Sequence, residues 1–343
     1  MLGEGPKVGQ FESELKNKFG LKYVLALNSG TSALRLALAV GGVGPNDEVI
    51  TTPFTALATN TSILEQGAKP VFADINYETS NIDPADIEKH ITRKTKAIIC
   101  VHYGGYPCDM DEINEIARDH DLLVIEDAAH ALGATYKGKV IGTISKFTAF
   151  SFQAIKHITT GDGGMLTLLD SEKYEEARRR RWFGIDRAAR KPSVIGYDTT
   201  FDITEAGYKY HMNDIAATIG LEQLKYFDAV FKRRAEIANI YREQLSDVNG
   251  IVLSENSSDR KNANWLFPLH VERREDFAKM MSAKGIEVSV VHWRNDRYSI
   301  FGGLRKDLPN LEKFSKTIIH IPLHQDLTDS NVEYIIDSIK GEW

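Results

Sequence analysis

The sequence predicts an α/β protein, with a large domain built on a mostly parallel sheet with helices on both faces and a smaller C-terminal α/β domain after it. Three observations carry this. Helical and strand patterns alternate from Phe11 to about Leu169. Two runs of strand length, Lys96–Val101 and Leu122–Glu126, are apolar nearly throughout, as in strands covered on both faces. A second, shorter βα series starts at Ile251. The 343 residues fit two domains at roughly 150 residues each, and the texture places them at 1–235 and 236–343.

The elements follow in order. Phe11–Phe19 reads as a helix closed by Gly20, Tyr23–Leu27 as a strand, and Thr31–Val40 as a helix closed by Gly41. The unit repeats with a strand at Glu48–Thr52, a helix at Thr55–Gln66 ending at Gly67, and a strand at Pro70–Asp74. Asp83-Pro84 opens the next helix with an N-cap followed by proline at the first helical position. After Leu169 come a basic helix at Ser171–Arg181, a polar loop from Asp186 to Asp202, and long helical patterns from Asn213 to about Leu245. The C-terminal series comprises strands at Trp265–Val271 and Ile286–Val291, a helix at Arg274–Lys284, and a last helix from Asp329.

Composition narrows the function. With 42% hydrophobic and 26% charged residues the chain is ordinary globular protein. A formal charge of −6 offers no global attraction to nucleic acid or an anionic membrane. Only Cys100 and Cys108 are present, without the spacing of a zinc site or a disulfide framework. No apolar stretch approaches the roughly 20 residues of a membrane span, and the first residues lack a secretory h-region. A reducing, cytoplasmic setting is therefore expected.

Three local features fall in an order that can build one site. Asn28-Ser29-Gly30-Thr31-Ser32 carries a strand into a helix start, where free N–H groups, hydroxyls and the helix dipole suit a phosphate; an ordinary N-cap is the alternative. The run ending Ile125-Glu126-Asp127 delivers an acid at the carboxyl end of a strand, where it can meet a cationic group or serve as a cap, and His130 follows three residues on. Between the aromatic-rich Phe150-Ser151-Phe152 and the turn Gly161-Asp162-Gly163-Gly164 stands Lys156, in a stretch nearly free of charge. Desolvation lowers the pKa of such a lysine and makes it an imine-forming nucleophile, unless it snorkels to solvent. A phosphate cradle, an acid for a pyridine nitrogen and an imine-forming lysine are together the parts that bind pyridoxal phosphate.

With these motifs, and with Gly5-Pro6-Lys7-Val8-Gly9-Gln10-Phe11-Glu12 and Pro322-Leu323-His324 at the two ends, the chain resembles the DegT/StrS-type nucleotide-sugar aminotransferases, pyridoxal-phosphate enzymes of fold type I. The resemblance implies that Lys156 holds the cofactor as an imine and later moves a proton, and that Asp127 contacts the pyridine nitrogen. It implies phosphate contacts from Gly30, Thr31 and Ser151, and His130 beside the ring. It further implies glutamate as amino donor, a pyridoxamine phosphate form within the cycle, a nucleotide-linked keto-deoxy sugar as acceptor, and a role in amino sugar and polysaccharide synthesis. Similar enzymes are homodimers with active sites at the interface, and the segment Gly207–Asp214 would bring Lys209 to the neighbour's phosphate site.

The chain departs from the family pattern in places. Ala56 stands where an aromatic residue usually stacks on the ring, Phe183 where a histidine is common, and Lys209 and His211 where asparagine and arginine are usual. Similar proteins also carry further residues ahead of Gly5. The basic stretch Arg178–Arg181 with Arg187, Arg190 and Lys191 reads as a solvated helix face or as a diphosphate contact. His292-Trp293-Arg294-Asn295-Asp296-Arg297-Tyr298 is the better candidate for a base and sugar. Rival readings are a keto-cyclitol aminotransferase, a catalytically silent relative, and a pyridoxamine-dependent sugar 3-dehydratase. The last replaces the lysine with histidine, and would require His157 to hold the catalytic position.

Overall fold

The computed structural model describes residues 3–189, 191–194, 196–198, 202–341 and 343. The first half contains α1 (Pro6–Phe19), β1 (Tyr23–Leu27), α2 (Gly30–Val40), β2 (Glu48–Thr51), α3 (Leu57–Glu65), β3 (Lys69–Phe72), α4 (Pro84–Lys89), β4 (Thr95–Val101), α5 (Met110–Asp119) and β5 (Leu123–Asp127). Short β6 (Thr135–Tyr136) and β7 (Lys139–Val140) precede β8 (Phe147–Ser151), β9 (Gly164–Leu168) and α6 (Ser171–Arg180). A small hairpin, β10 (Lys191–Ser193) and β11 (Gly196–Asp198), leads to α7 (Asp214–Leu224) and α8 (Phe227–Leu245). The chain ends with β12 (Ile251–Leu253), β13 (Arg260–Lys261), β14 (Phe267–Val271), α9 (Arg274–Ala283), α10 (Pro309–Thr317), β15 (Ile318–Ile321) and α11 (Asp329–Lys340).

The main sheet has seven strands in the order β1-β9-β8-β5-β4-β2-β3. All pairings among β8, β5, β4, β2 and β3 are parallel, whereas β9 runs antiparallel to both β1 and β8. The exception has a local cause: β8 and β9 are joined by a hairpin loop rather than by a crossover helix, so the chain must reverse. Both faces of the sheet are covered. Val24, Ala26, Ile98 and Cys100 pack with α1 and α5, while Leu25, Leu27, Ala97 and Ile99 pack against α2. Successive residues alternate between the two cores, which is why these strands read as unbroken apolar runs.

Helix ends agree in part with their sequence signals. Gly20 ends α1 at φ 66°, and Asp83 caps α4 by accepting from the Ala85 N–H. Gly41, expected to close α2 with a left-handed turn, is right-handed; that turn comes at Gly42. Gly41 is needed for space, because a Cβ there would run into the Leu123 side chain.

The C-terminal sheet, β12-β14-β15, is antiparallel and packs its apolar face against α8, α9 and α11. The expected strand at Ile286–Val291 is reduced to one bridge between Ser289 and His320, beyond which the Val291 N–H donates to the His320 ring instead of a strand carbonyl. The division we propose at 235/236 falls inside α8: Phe227 and Phe231 pack into the first core, Ile237, Ala238 and Tyr241 into the C-terminal one. A third cluster joins the two parts, with Phe54, Phe72 and Tyr103 against Leu311, Phe314 and Ile318.

Two buried histidines flank this junction. His320 shares a 3.0 Å hydrogen bond with the Tyr103 hydroxyl, and His270 shares one of 2.7 Å with Thr317 while stacking on Tyr77. Burial pushes both imidazoles from the usual 6.5 down to about 4, so both are neutral in the folded chain at neutral pH. The unfolded chain takes up these protons below about pH 6.5; their effect on stability is therefore absent above that value and grows as the pH falls toward 4. The urea midpoint should drop across that window, and His270→Gln should flatten the drop, as chemical denaturation at a series of pH values would show.

Candidate functional site

A cavity of about 220 Å³ opens at the carboxyl edge of the main sheet. Parallel strands place ligands at this edge, because the helices that follow them start there. Among its walls are Gly30 and Thr31 at the start of α2, Asp127 at the end of β5, His130, Ser151 at the end of β8, and Lys156. The structure thus brings together every site residue expected from the sequence except Lys209, which is exposed and does not line its own chain's cavity.

At one end of the cavity lies the start of α2. Ser29 caps it, its hydroxyl accepting from the Ser32 N–H at 3.0 Å, which leaves the first-turn N–H groups of Gly30 and Thr31 without helical partners. Close approach is built in. A Cβ on Gly30 would come within 3.0 Å of the Ser151 Cβ, and one on Gly164 would strike the Ser29 carbonyl and the Gly30 nitrogen. Glycine at these positions lets β8 and β9 meet the helix start and gather the Ser151 hydroxyl beside its N–H groups.

Asp127 occupies the floor. Its Oδ2 accepts from the Thr59 hydroxyl at 2.7 Å and its Oδ1 from the Ala129 N–H at 3.1 Å; Thr59 in turn lies 2.8 Å from the Thr55 hydroxyl. Burial pushes the carboxyl upward, and the Thr59 bond, the Ala129 bond and the Lys156 charge oppose it. The adjacent acid holds the interior together instead. Glu126 is fully buried and accepts from the Ser145 N–H and the Thr148 hydroxyl, with His102 at 2.8 Å.

Lys156 sits on the loop between β8 and β9, which is closed by backbone bonds from Phe152 N–H to Gly163 and from Thr160 N–H to Phe152. Burial lowers its ammonium to about 7, with Asp127 acting in the opposite direction. Its Nζ lies 3.7 Å from the centre of the Trp265 ring. His130 stacks on the same indole at 3.7 Å and 14°, and burial holds its imidazole well below the usual range. The indole N–H donates to the Ile155 carbonyl at 2.9 Å, so Trp265 also pins the lysine loop.

Sequence reasoning missed Trp265, Thr55 and Thr59, and placed His292 only within a loop. Trp265 reaches the site because Arg234 on α8 donates to the carbonyls of Trp265 and Leu323. No local pattern announces that. Thr59, on α3, meets Asp127, at the end of β5, from 68 positions away in the chain, a relation that no spacing encodes. Of the basic stretch, Arg178 pairs with Glu175 and Asp186, Arg179 with Glu205, Arg180 with Glu176, and Arg181 with Glu4 and Glu12. Arg187 pairs with Glu4. These arginines are occupied by carboxylates within the fold, Arg190 lies outside the described residues, and Lys191 enters only as backbone of β10.

A model of the DegT/DnrJ/EryC1/StrS aminotransferase family matches residues 1–340. The chain belongs to this family. The spore coat polysaccharide biosynthesis protein SpsC of Bacillus subtilis is 39% identical, covering 99% of this chain and 90% of that protein. A UDP-4-amino-4-deoxy-L-arabinose–oxoglutarate aminotransferase of Shewanella sediminis is 36% identical over 98% of this chain and 90% of its own length. The sugar aminotransferase CalS13 from Micromonospora echinospora, a crystal structure, matches with a TM-score of 0.94 at 36% identity, covering 100% of this chain and 93% of that one. The fold is that of these enzymes, and the protein is a sugar aminotransferase dependent on pyridoxal phosphate.

The cavity of this aminotransferase fits that cofactor on its own geometry. The α2 start suits a phosphate and the buried Asp127 suits a cationic ring nitrogen. His130 Nδ1 and His292 Nε2 are buried without a hydrogen-bond partner, with their rings 5.8 Å apart. A polar ligand in the cavity would answer such orphaned atoms. Ala56, at the N-cap of α3, lines the wall with no ring to offer.

Three outcomes are expected. Thr59→Val removes a hydrogen bond to a carboxylate, worth about 1.5–3 kcal/mol; pyridoxal phosphate affinity, measured by equilibrium dialysis, should fall on the order of tenfold or more, and Thr59→Ser should restore it. The rate at which the apoprotein captures pyridoxal phosphate should rise with pH through a midpoint near 7 rather than 10.5, because the neutral amine prevails above the lowered value. Absorbance stopped-flow measures this, and Lys156→Ala should leave no borohydride-trappable adduct.

Proposed function

We propose that this aminotransferase takes nitrogen from glutamate and delivers it to a keto carbon of a nucleotide-linked keto-deoxy sugar. The observation that carries the reading is a desolvated lysine facing a buried carboxylate across one cavity, Lys156 and Asp127. The relative named for a UDP-amino sugar and oxoglutarate supports the choice of donor and acceptor. When bound, pyridoxal phosphate supplies an aldehyde for the amino group and a ring that accepts the electrons released at the substrate α-carbon.

The residues of the chain divide the remaining work. The N–H groups of Gly30 and Thr31 and the Ser151 hydroxyl would hold the phosphate. Asp127, oriented by Thr59 and Ala129, keeps the ring nitrogen protonated. Lys156 would hold the cofactor through Nζ, and its amine, which burial brings to a pKa near 7, is suited to take up and return the proton at the substrate carbon. His130 and Trp265 form a flat aromatic wall that excludes water beside Lys156 Nζ. Lys209, exposed and outside its own cavity, reaches the phosphate site of a second copy in a homodimer.

The 3-dehydratase reading meets a specific obstacle. His157 is turned away from the cavity, sharing a 2.7 Å hydrogen bond with the Ala263 carbonyl, and burial lowers its imidazole to about 3. A panel of nucleotide-linked keto sugars, assayed with glutamate and pyridoxal phosphate for 2-oxoglutarate and aminated product together, tests the proposal. Coupled formation of both is expected. Turnover of keto-cyclitols alone, or conversion of the cofactor by glutamate with no sugar aminated, would overturn the acceptor assignment.

A further inference from the structure

The cavity at the lysine, about 220 Å³, is smaller than the roughly 300–1,000 Å³ of ordinary ligand sites, and the cofactor would share it with the sugar. A nucleoside diphosphate joined to the sugar must therefore lie outside it. The chain that leaves the cavity wall at His292 leads directly to an exposed cluster. Trp293 is 48% exposed and Tyr298 40%, large aromatic surfaces left in water. Arg297 lies between them, its guanidinium 5.1 Å from the Trp293 ring and 5.8 Å from the Tyr298 ring, and Arg274 approaches Trp293 at 5.8 Å.

Charge separates these two arginines from the others near them. Arg294 is clasped by Asp296 through two 2.7 Å bonds and by Glu312 at 2.8 Å. Arg274 donates only to the carbonyls of Ser315 and Ile318, and Arg297 has ring contacts alone; neither has a carboxylate partner among the described residues. Two guanidinium charges thus remain uncompensated beside one exposed indole. The platform is also held firmly against the cavity. Asn295 is fully buried, donates to the carbonyls of Pro53 and Thr55, and Thr55 is itself a cavity wall.

We propose that Trp293, Arg297 and Arg274 form the site for the nucleoside diphosphate of the substrate. The indole stacks on the base, and the two guanidiniums meet the diphosphate, whose charge and fork-shaped acceptors suit arginine. The assignment rests on the nucleotide-sugar reading above and adds to it the location of the nucleotide half. Arg294 and Asp296 act as positioning residues that keep the platform rigid.

The test uses the pyridoxal-phosphate-loaded full chain, with UDP, GDP and dTDP as probes in titration calorimetry. Trp293→Ala and Arg297→Gln are compared with wild type, with cofactor content and melting midpoint confirming that each variant is folded. At least one diphosphate should bind wild type, each variant should weaken it tenfold or more, and Arg297→Lys should recover part of the loss. Wild-type affinity in both folded variants would overturn the platform while leaving the proposed reaction standing. Failure of wild type to bind any of the three diphosphates would overturn the platform and the nucleotide-linked acceptor together.

Discussion

Desolvation of one ammonium group organises the carboxyl edge of the main sheet. Lys156 would be a routine, fully charged lysine in water; the walls around it lower its pKa to about 7, and a neutral amine becomes available near neutrality. That requires surroundings that are dry yet not wholly apolar, because Asp127 must remain ready to meet a cation. The two requirements are met by different devices. Trp265 and His130 shield the amine with aromatic surface, while Thr59 and the Ala129 N–H hold the carboxylate with directed hydrogen bonds.

This arrangement depends on segments far apart in the chain. The lysine loop is closed by its own backbone bonds, but its position over the cavity is set by the indole of Trp265, whose carbonyl is held by Arg234 of α8. Asn295 ties the other rim to Pro53 and Thr55. The C-terminal part of the chain is therefore a wall of the site, and the apolar cluster joining Phe54 and Tyr103 to Phe314 makes that wall continuous with the large sheet. Buried neutral histidines at the junction link its integrity to pH.

Legibility in the sequence followed the range of the interactions. Helices with local end signals were readable: Gly20 at the end of α1 and Asp83 at the start of α4 are satisfied within a few residues. β4 and β5 were readable because burial on both faces leaves an apolar run. The reduction of Ile286–Val291 to one bridge was not readable, since its apolar content suits a strand and the Val291 N–H finds the His320 ring, a partner distant in sequence. The basic stretch was ambiguous for a similar reason. Arg179 and Arg181 are neutralised by Glu205, Glu4 and Glu12, which come close only in the folded chain.

The sequence by itself determined the chemistry on offer: a helix start with hydroxyls and glycine, an acid at a strand end, and a lysine in an uncharged stretch, each readable because the relevant neighbours are local. Tertiary structure brings these parts to one cavity with Lys156, and not His157, among its walls, and it alone decided that Trp265 would lie against Lys156 and Thr59 against Asp127. The physical reason is that desolvation and charge compensation depend on what is near in space, and a chain order can supply the groups without stating which of them water will reach.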